Sequence, residues 1–418
     1  MAAINNVRKH LMSLSRRTLL GTVAATSALP FVANAQRPKL RIGVLNDQSG
    51  PYRDTTGNTS VVAARQAVVD AGVSGLGFDV EIITADHQNK PDVGAGIARQ
   101  WIDNDSVDVV ADVPTSSVAL AVAEVCRLKD KVHLNASATA VALTGEQCNP
   151  NTIVWSFDTY MMAVSSGGAT VKAGGDSWFF VTADYAFGHS LQDQTSRMVT
   201  KAGGKVVGAI RYPFPDTTDF SSFLTQAMAS GAKVLGLANA GGDTVNSIKQ
   251  AAEFGVGRKM KIAPMLMFIT DVHALGLDIA AGLTLTESFY WDLNDRTRAF
   301  TKRIVANSPK NYPNQAHASA YSSVLHYIKT AAKMGAAEAK KSGAATVAAM
   351  KRLPTEDDAF GAGSIREDGR GLFPAYLFQV KTKAESKSEW DLYKLLSTTP
   401  GKDAARPLAD GGCKLIKA

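Results

Sequence analysis

The chain has 418 residues, 45% of them hydrophobic and 7% aromatic, enough for two or more domains with cores of their own. Residues 1–35 hold four basic and no acidic residues, so without them the formal charge of +7 falls by four to +3. A remainder that close to neutral argues little for nucleic acid or for a charged membrane surface as partners.

At the N-terminus, Arg8, Lys9, Arg16 and Arg17 form a basic start, 19–32 a moderately apolar stretch, and Ala33-Asn34-Ala35 an A-x-A cleavage site. Ser15-Arg16-Arg17-Thr18-Leu19-Leu20 is similar to the twin-arginine export motif; a Sec signal containing two arginines fits the same residues. Both readings predict export to the periplasm with cleavage after Ala35. No later stretch offers the ~18 uninterrupted apolar residues of a membrane span.

Leu40, Ile42, Val44 and Leu45 predict a first strand, 46–58 a polar loop with a Ser49-Gly50-Pro51-Tyr52 turn, and Val61, Val62, Ala64, Val68 and Val69 a helix. In open α/β sheets such a loop, beyond the carboxyl end of a strand, is where ligands bind, although every α/β domain has loops of this kind. Alternation continues with strands at 79–83, 107–113 and 132–134 and helices at 92–102 and 116–128, which predicts a parallel sheet covered on both faces. A second series follows. Helices are expected at 161–172, 188–201, 220–229 and 244–254, and strands at 177–181, 205–211 and 234–237. Trp178-Phe179-Phe180-Val181 reads as a buried parallel strand. After 283–285 the chain turns helical at 297–304 and 315–334, and 361–380 reads as β-rich.

Cys126 falls in a helical run and reads as a small buried residue. Cys148 and Cys413 both lie in polar segments and are expected to form a disulfide that ties the C-terminal tail to the start of the second lobe. Three cysteines without metal-ligand spacing give no zinc site. No Gly-x-Ser-x-Gly elbow, His-Glu-x-x-His or phosphate loop is present, and Gly361-Ala362-Gly363 lacks the third glycine of a dinucleotide fingerprint. His87, His189 and His317 read as surface or packing residues.

The order IGVLNDQSGPY…G…AARQAVVDAG within 40–72 resembles the start of periplasmic solute-binding proteins of the leucine/isoleucine/valine type, which serve ABC transporters. Separated blocks carry the resemblance to about Val380, the last being FGAGSIREDGRGLFPAYLFQV. It implies an α/β fold of the periplasmic binding protein type I: two doubly wound lobes joined by a multi-strand hinge, with the ligand cleft between them. Residues 36–157 and 292–354 would form lobe 1, and 158–291 and 355–418 lobe 2. Closing such a hinge bends several strands together.

The resemblance also implies a ligand site. Ser116, with Ser117 beside it, falls on the family's ligand-binding serine, though a plain helix N-cap fits the same residues. Ser137 and Thr139 end the next strand and would offer hydroxyls and backbone groups, or simply a capping loop. Ser49 and Tyr52 come from the first turn. In the second lobe Phe187-Gly188 stands where relatives often have Tyr-Gly, which removes a hydroxyl that Tyr185 would supply unless the pocket is more apolar. Asn239 precedes a helix, and Asp243 matches a position that pairs with a ligand ammonium; an N-cap aspartate is the alternative. Tyr290, in Phe289-Tyr290-Trp291, would line the cleft mouth or pack in the core.

The function implied is that of an exported monomer that captures a small amino acid, aromatic carboxylate or amide by lobe closure. It would deliver that ligand to the permease subunits of an ABC importer, with no metal, cofactor, nucleic acid or catalysis. A ligand-sensing receptor for a signalling partner, or an exported α/β enzyme, are the alternatives.

Overall fold

The computed structural model describes residues 37–416; the export segment read at 1–35 lies outside them. The first lobe alternates β1 (Lys39–Asn46), α1 (Gly57–Asp70), β2 (Asp79–Asp86), α2 (Pro91–Asp103), β3 (Val109–Asp112), α3 (Ser116–Leu128), β4 (Val132–Asn135) and β5 (Thr152–Val154). Its strands pair in parallel in the order β2-β1-β3-β4-β5, with Ile42 opposite Ile82 on one side and Val109 on the other. Continuous Val, Ile and Leu runs suit strands buried on both faces, and Leu40, Ile42, Val44, Val109 and Leu134 are fully or almost fully enclosed.

The second lobe contains α4 (Thr159–Lys172), β6 (Ser177–Ala183), α5 (Ala186–Lys201), β7 (Lys205–Tyr212), α6 (Ser221–Ala229), β8 (Val234–Ala238), α7 (Gly242–Glu253) and β9 (Lys261–Pro264). Its parallel sheet runs β7-β6-β8-β9. After α8 (Ile269–Leu275), α9 (Leu277–Ala280) and β10 (Thr284–Glu287), helices α10 (Asp295–Val305), α11 (Gln315–Met334), α12 (Ala336–Lys341) and α13 (Gly343–Arg352) return to the first core, where α11 packs along α1. The chain ends in β11 (Thr355–Asp357), β12 (Gly361–Ile365), β13 (Gly371–Leu372), β14 (Ala375–Val380), β15 (Tyr393–Thr399) and α14 (Gly401–Ala404).

Three crossings join the lobes. Trp155, Phe289 and Phe373 belong to the first core, whereas Phe157, Tyr290 and Ala375, only two residues or fewer further on, pack in the second. The antiparallel sheet β11-β12-β13 lies on the first lobe, since Ala359, Ile365 and Phe373 are buried in its core, and β10-β14-β15 lies on the second. The lobe boundary expected at 354/355 therefore moves to about 373–375, because Gly- and charge-rich 355–372 gives no apolar run to show which core it joins.

Two buried polar side chains, Arg370 and Glu287, pin these crossings. Arg370 donates to Asp158 Oδ2 at 2.7 Å and to the carbonyls of Trp155, Ser156 and Gly371, while Asp158 caps α4 by accepting from Met161 N at 2.8 Å. Glu287, at the end of β10, accepts from Ile269 N and Gln315 N, both at 3.1 Å, and from the Tyr393 hydroxyl at 2.9 Å. It thus holds the starts of α8 and α11 together across the hinge.

Cys148 and Cys413 form a disulfide with a Cα–Cα distance of 5.6 Å. Cys148 precedes β5, so the tail is tied to the first lobe and not to the start of the second; a three-residue strand leaves too little pattern to mark that boundary. Cys126 is buried and free, and burial pushes its thiol up to about 12.

Candidate functional site

The loops at the carboxyl ends of the strands are shaped by short polar side chains. Asp47 accepts from Ser49 N at 3.2 Å, Gly50 N at 2.6 Å and Tyr52 N at 2.8 Å, and so folds the first turn and aims Tyr52 inward. A Cβ at Gly50 would fall 2.6 Å from Asn89 Nδ2 and 2.8 Å from Asp47 Oδ2, so a larger residue would displace the side chains that fold this turn. The Tyr52 carbonyl then collects the N–H and hydroxyl of both Thr55 and Thr56.

At the end of β3, Asp112 and Val113 adopt φ of +77° and +53°. Left-handed backbone at a β-branched residue is strained and persists only where its surroundings enforce it. Here Val113 N donates to Leu45 O at 3.0 Å and Asp112 accepts from Asn46 Nδ2 at 3.0 Å and from the Ser137 hydroxyl. The turn presents Pro114 and then starts α3. Burial holds the Asp112 carboxyl above the usual carboxylate range, with the bonds from Ser137 and Asn46 opposing.

These loops meet the second lobe around one narrow cavity of about 20 Å³, room for little more than a water molecule. From the first lobe it is lined by Tyr52, Thr55, Thr56, Pro114, Ser137 and Thr139. From the second come Tyr185, Phe187, Ala240, Leu266 and Phe268. Phe187 is placed by Gly188, where a Cβ would come within 2.0 Å of Ala183 O, so only glycine lets α5 begin this close to β6. Tyr185 stacks on Phe214 with centroids 4.3 Å apart, Tyr52 lies 5.5 Å from the same ring, and the hydroxyls of Tyr52 and Tyr185 are hydrogen-bonded to each other across the lobes. Among the described residues no charged side chain lines this cavity.

Residues 39–386 match the family model of the periplasmic binding proteins. The chain belongs to the periplasmic binding protein family. A crystal structure of a periplasmic binding protein from Burkholderia mallei is 43% identical, with a TM-score of 0.87, covering 91% of this chain and 99% of that one. A branched chain amino acid ABC transporter periplasmic ligand-binding protein from Burkholderia xenovorans is 34% identical, with a TM-score of 0.77 and coverage of 90% and 99%. Leu/Ile/Val-binding protein homolog 6 of Brucella melitensis is 25% identical over 253 residues, 59% of this chain. The match spans 63% of that relative's own length, less than two thirds.

The binding protein brings Tyr52, Ser137, Thr139, Tyr185 and Phe187 together at the cavity and leaves the other expected site residues outside it. Ser49 is exposed and donates to Asp86 Oδ2 at 2.6 Å, because Asp47 turns the backbone before it can face inward. The buried Ser116 hydroxyl accepts from Thr139 N at 3.3 Å and Ala140 N at 3.2 Å. It positions the loop that carries Thr139 and does not line the cavity; half-buried Ser117 does not either. Asn239 is fully buried, donating to Ser247 Oγ at 3.0 Å and accepting from Thr244 Oγ1 at 2.7 Å to fix the start of α7.

Asp243 neither caps α7, whose N-cap is Gly241, nor reaches the cavity. It accepts from the Tyr212 hydroxyl at 2.7 Å and lines a separate groove of about 610 Å³ with Pro51, Arg53 and Lys249. Tyr290 packs between Phe378 and Tyr393, with centroids at 5.4 and 4.9 Å, and is a hinge residue. His87 and His317 are buried, and burial pulls their rings down to about 4 and about 3; His189 is half-buried beside Asp184. Leu266, Phe268 and Phe214 are missing from the sequence expectation. The apolar Met265–Phe268 run follows a four-residue strand, and Phe214 sits in a Pro-rich turn, so neither carries a periodic signal.

Burial also raises the carboxyls of Asp243 and Asp271 to about 7 and that of Glu287 to about 8, each opposed by hydrogen bonds that favour the charged form. Unfolded carboxyls titrate near 4, so the folded chain binds more protons between about pH 4 and pH 8, and stability falls as pH rises through that window. Asp243→Asn removes one of these groups and keeps an acceptor for Tyr212. Relative to the unaltered protein it is expected to gain about 1–3 kcal/mol at pH 8 over its difference at pH 4. Denaturant melts at both pH values check this; an equal difference at the two would count against it.

Proposed function

We propose that this periplasmic binding protein captures a compact carboxylate with an apolar, aromatic body and delivers it to the permease of an ABC importer. The observation that carries the reading is the uncharged, aromatic-lined cavity between the lobes; at about 20 Å³ it is far smaller than the ~300–1,000 Å³ of ordinary ligand sites, so the lobes must part to admit a ligand. A ligand touching Ser137 and Thr139 on one lobe and Tyr185, Phe187 and Phe268 on the other favours closure through contacts missing when the lobes part. The carboxylate would sit toward the Ser137–Thr139 hydroxyls and the nearby start of α3, whose N-terminal dipole favours negative charge. The ring would stack on Tyr52, Tyr185 and Phe187.

The names of the Burkholderia xenovorans and Brucella relatives support a second reading, a branched-chain amino acid. Its side chain would fit the apolar lining, but its ammonium group would be buried with no anion facing it, at a cost of several kcal/mol. Export would follow from the leader read at 1–35. Native mass spectrometry of the purified mature protein, followed by calorimetry with benzoate, 4-hydroxybenzoate, leucine and isoleucine, tests the choice. Binding of the aromatic acids with a raised melting temperature is expected. Binding of leucine or isoleucine with no response to either aromatic acid would sink the proposal.

A further inference from the structure

We propose that Tyr52, Tyr185 and Phe214 form a specificity wall that separates the cavity from the Asp243 carboxylate and so excludes ligands bearing a cationic amino group. The inference rests on reading the cavity as the ligand site. Two spaces flank the three rings. The cavity of about 20 Å³ is lined by no charged side chain among the described residues, and the groove of about 610 Å³ beyond it is lined by Asp243, Arg53, Asp54 and Lys249 among others.

The wall is continuous. Phe214 stacks on Tyr185 at 4.3 Å with 18° between planes and on Tyr52 at 5.5 Å with 28°, and the two phenols are bonded to each other. Beside the rings, the loop of one lobe seats directly on the other. Gly242 N donates to Pro51 O at 2.9 Å, and a Cβ at Gly241 would meet Pro51 O at 2.6 Å and Tyr52 Cδ1 at 3.0 Å. That loop is thus in direct contact with the start of α7. The Asp243 charge nonetheless lies close behind the rings. Burial holds the phenols of Tyr52 and Tyr185 above their usual range; at Tyr52 the neighbouring Tyr185 phenol and then the Asp243 charge add to it, and at Tyr185 that charge adds while the bond to Tyr52 opposes.

An anion placed one side chain's thickness from an uncharged pocket would select amino acids if the wall were absent. With the wall in place, an ammonium group entering the cavity loses its water and meets no counter-charge. Shortening one ring should therefore change which ligands bind.

The test is calorimetry with leucine and benzoate at pH 8, where Asp243 is largely ionised, on the mature protein and on Tyr185→Ala, Phe214→Ala and Asp243→Asn, with Asp243→Asn also combined with each of the first two. Melting curves accompany each variant, and Phe214→Ala opens the same wall should Tyr185→Ala fail to fold. The expected result is that at least one single variant binds leucine ten-fold or more tightly than the unaltered protein, and that Asp243→Asn abolishes the gain. No gain in any folded single variant, or a gain that survives Asp243→Asn, would overturn the wall. So would leucine binding by the unaltered protein that Asp243→Asn alone weakens ten-fold. Absence of benzoate binding to the unaltered protein, with the leucine gain intact, would instead reject the aromatic-acid reading and leave the wall standing.

Discussion

Replacing Arg370 by Met is expected to lower the stability of the binding protein by about 3–5 kcal/mol, the cost of leaving one partner of a buried ion pair alone. Arg370 and Asp158 are 2% and 3% exposed, and their contact of 2.7 Å spans two of the three lobe crossings. The substitution strands more than the carboxylate, because the carbonyls of Trp155, Ser156 and Gly371 lose their donor in an interior that water reaches poorly. Met has nearly the length of the arginine stem, so little of the effect comes from a cavity. Denaturant unfolding at unchanged m-value measures it. The double variant Asp158→Asn/Arg370→Met, which removes both charges, should recover part of the loss. A loss below about 1 kcal/mol in the single variant would mean that the pair barely offsets its own desolvation.

Ala240→Phe is expected to weaken ligand binding by at least about 100-fold, some 2.7 kcal/mol, while leaving the fold intact. Ala240 is 4% exposed, lines the cavity from the end of β8 and sits among Tyr52, Phe187 and Phe268. A benzyl group added there takes the space that a ligand ring would use. The free space beside Ala240 is only about 20 Å³, so the ring fits only with the lobes parted; it should favour the open form, and the ~1–3 kcal/mol typical of overpacking should fall on closure and not on either lobe's core. Calorimetry with whichever ligand the unaltered protein binds gives the affinity, and circular dichroism with a melting curve reports the fold. Unchanged affinity in a folded variant would move the ligand site elsewhere in the cleft.

Both experiments bear on what a linear reading of the chain can reach. The two parallel sheets follow from local pattern: Leu40–Leu45 and Trp178–Val181 are apolar runs too short for helices, and helices with recognisable starts at Pro91, Ser116 and Gln315 separate the strands. The loops of the site were legible for the same reason, since strand ends are where α/β sheets meet their ligands. Tyr52, Ser137, Thr139, Tyr185 and Phe187 all come from such ends.

What each side chain does at its strand end was decided elsewhere. Ser116 and Ser137 carry the same hydroxyl in similar positions, yet one is turned to the N–H groups of Thr139 and Ala140 and the other stands at the cavity against Asp112. Asp243 matches a ligand-facing position but is drawn to Tyr212, which arrives from another strand, and is screened by rings from two lobes. The strand–helix order, the two-lobed class and the loops that meet are written in local pattern along the chain. Which hydroxyls are free and where the charge lies depend on how distant segments pack. A rotamer is chosen by partners distant in the chain, and no local periodicity records them.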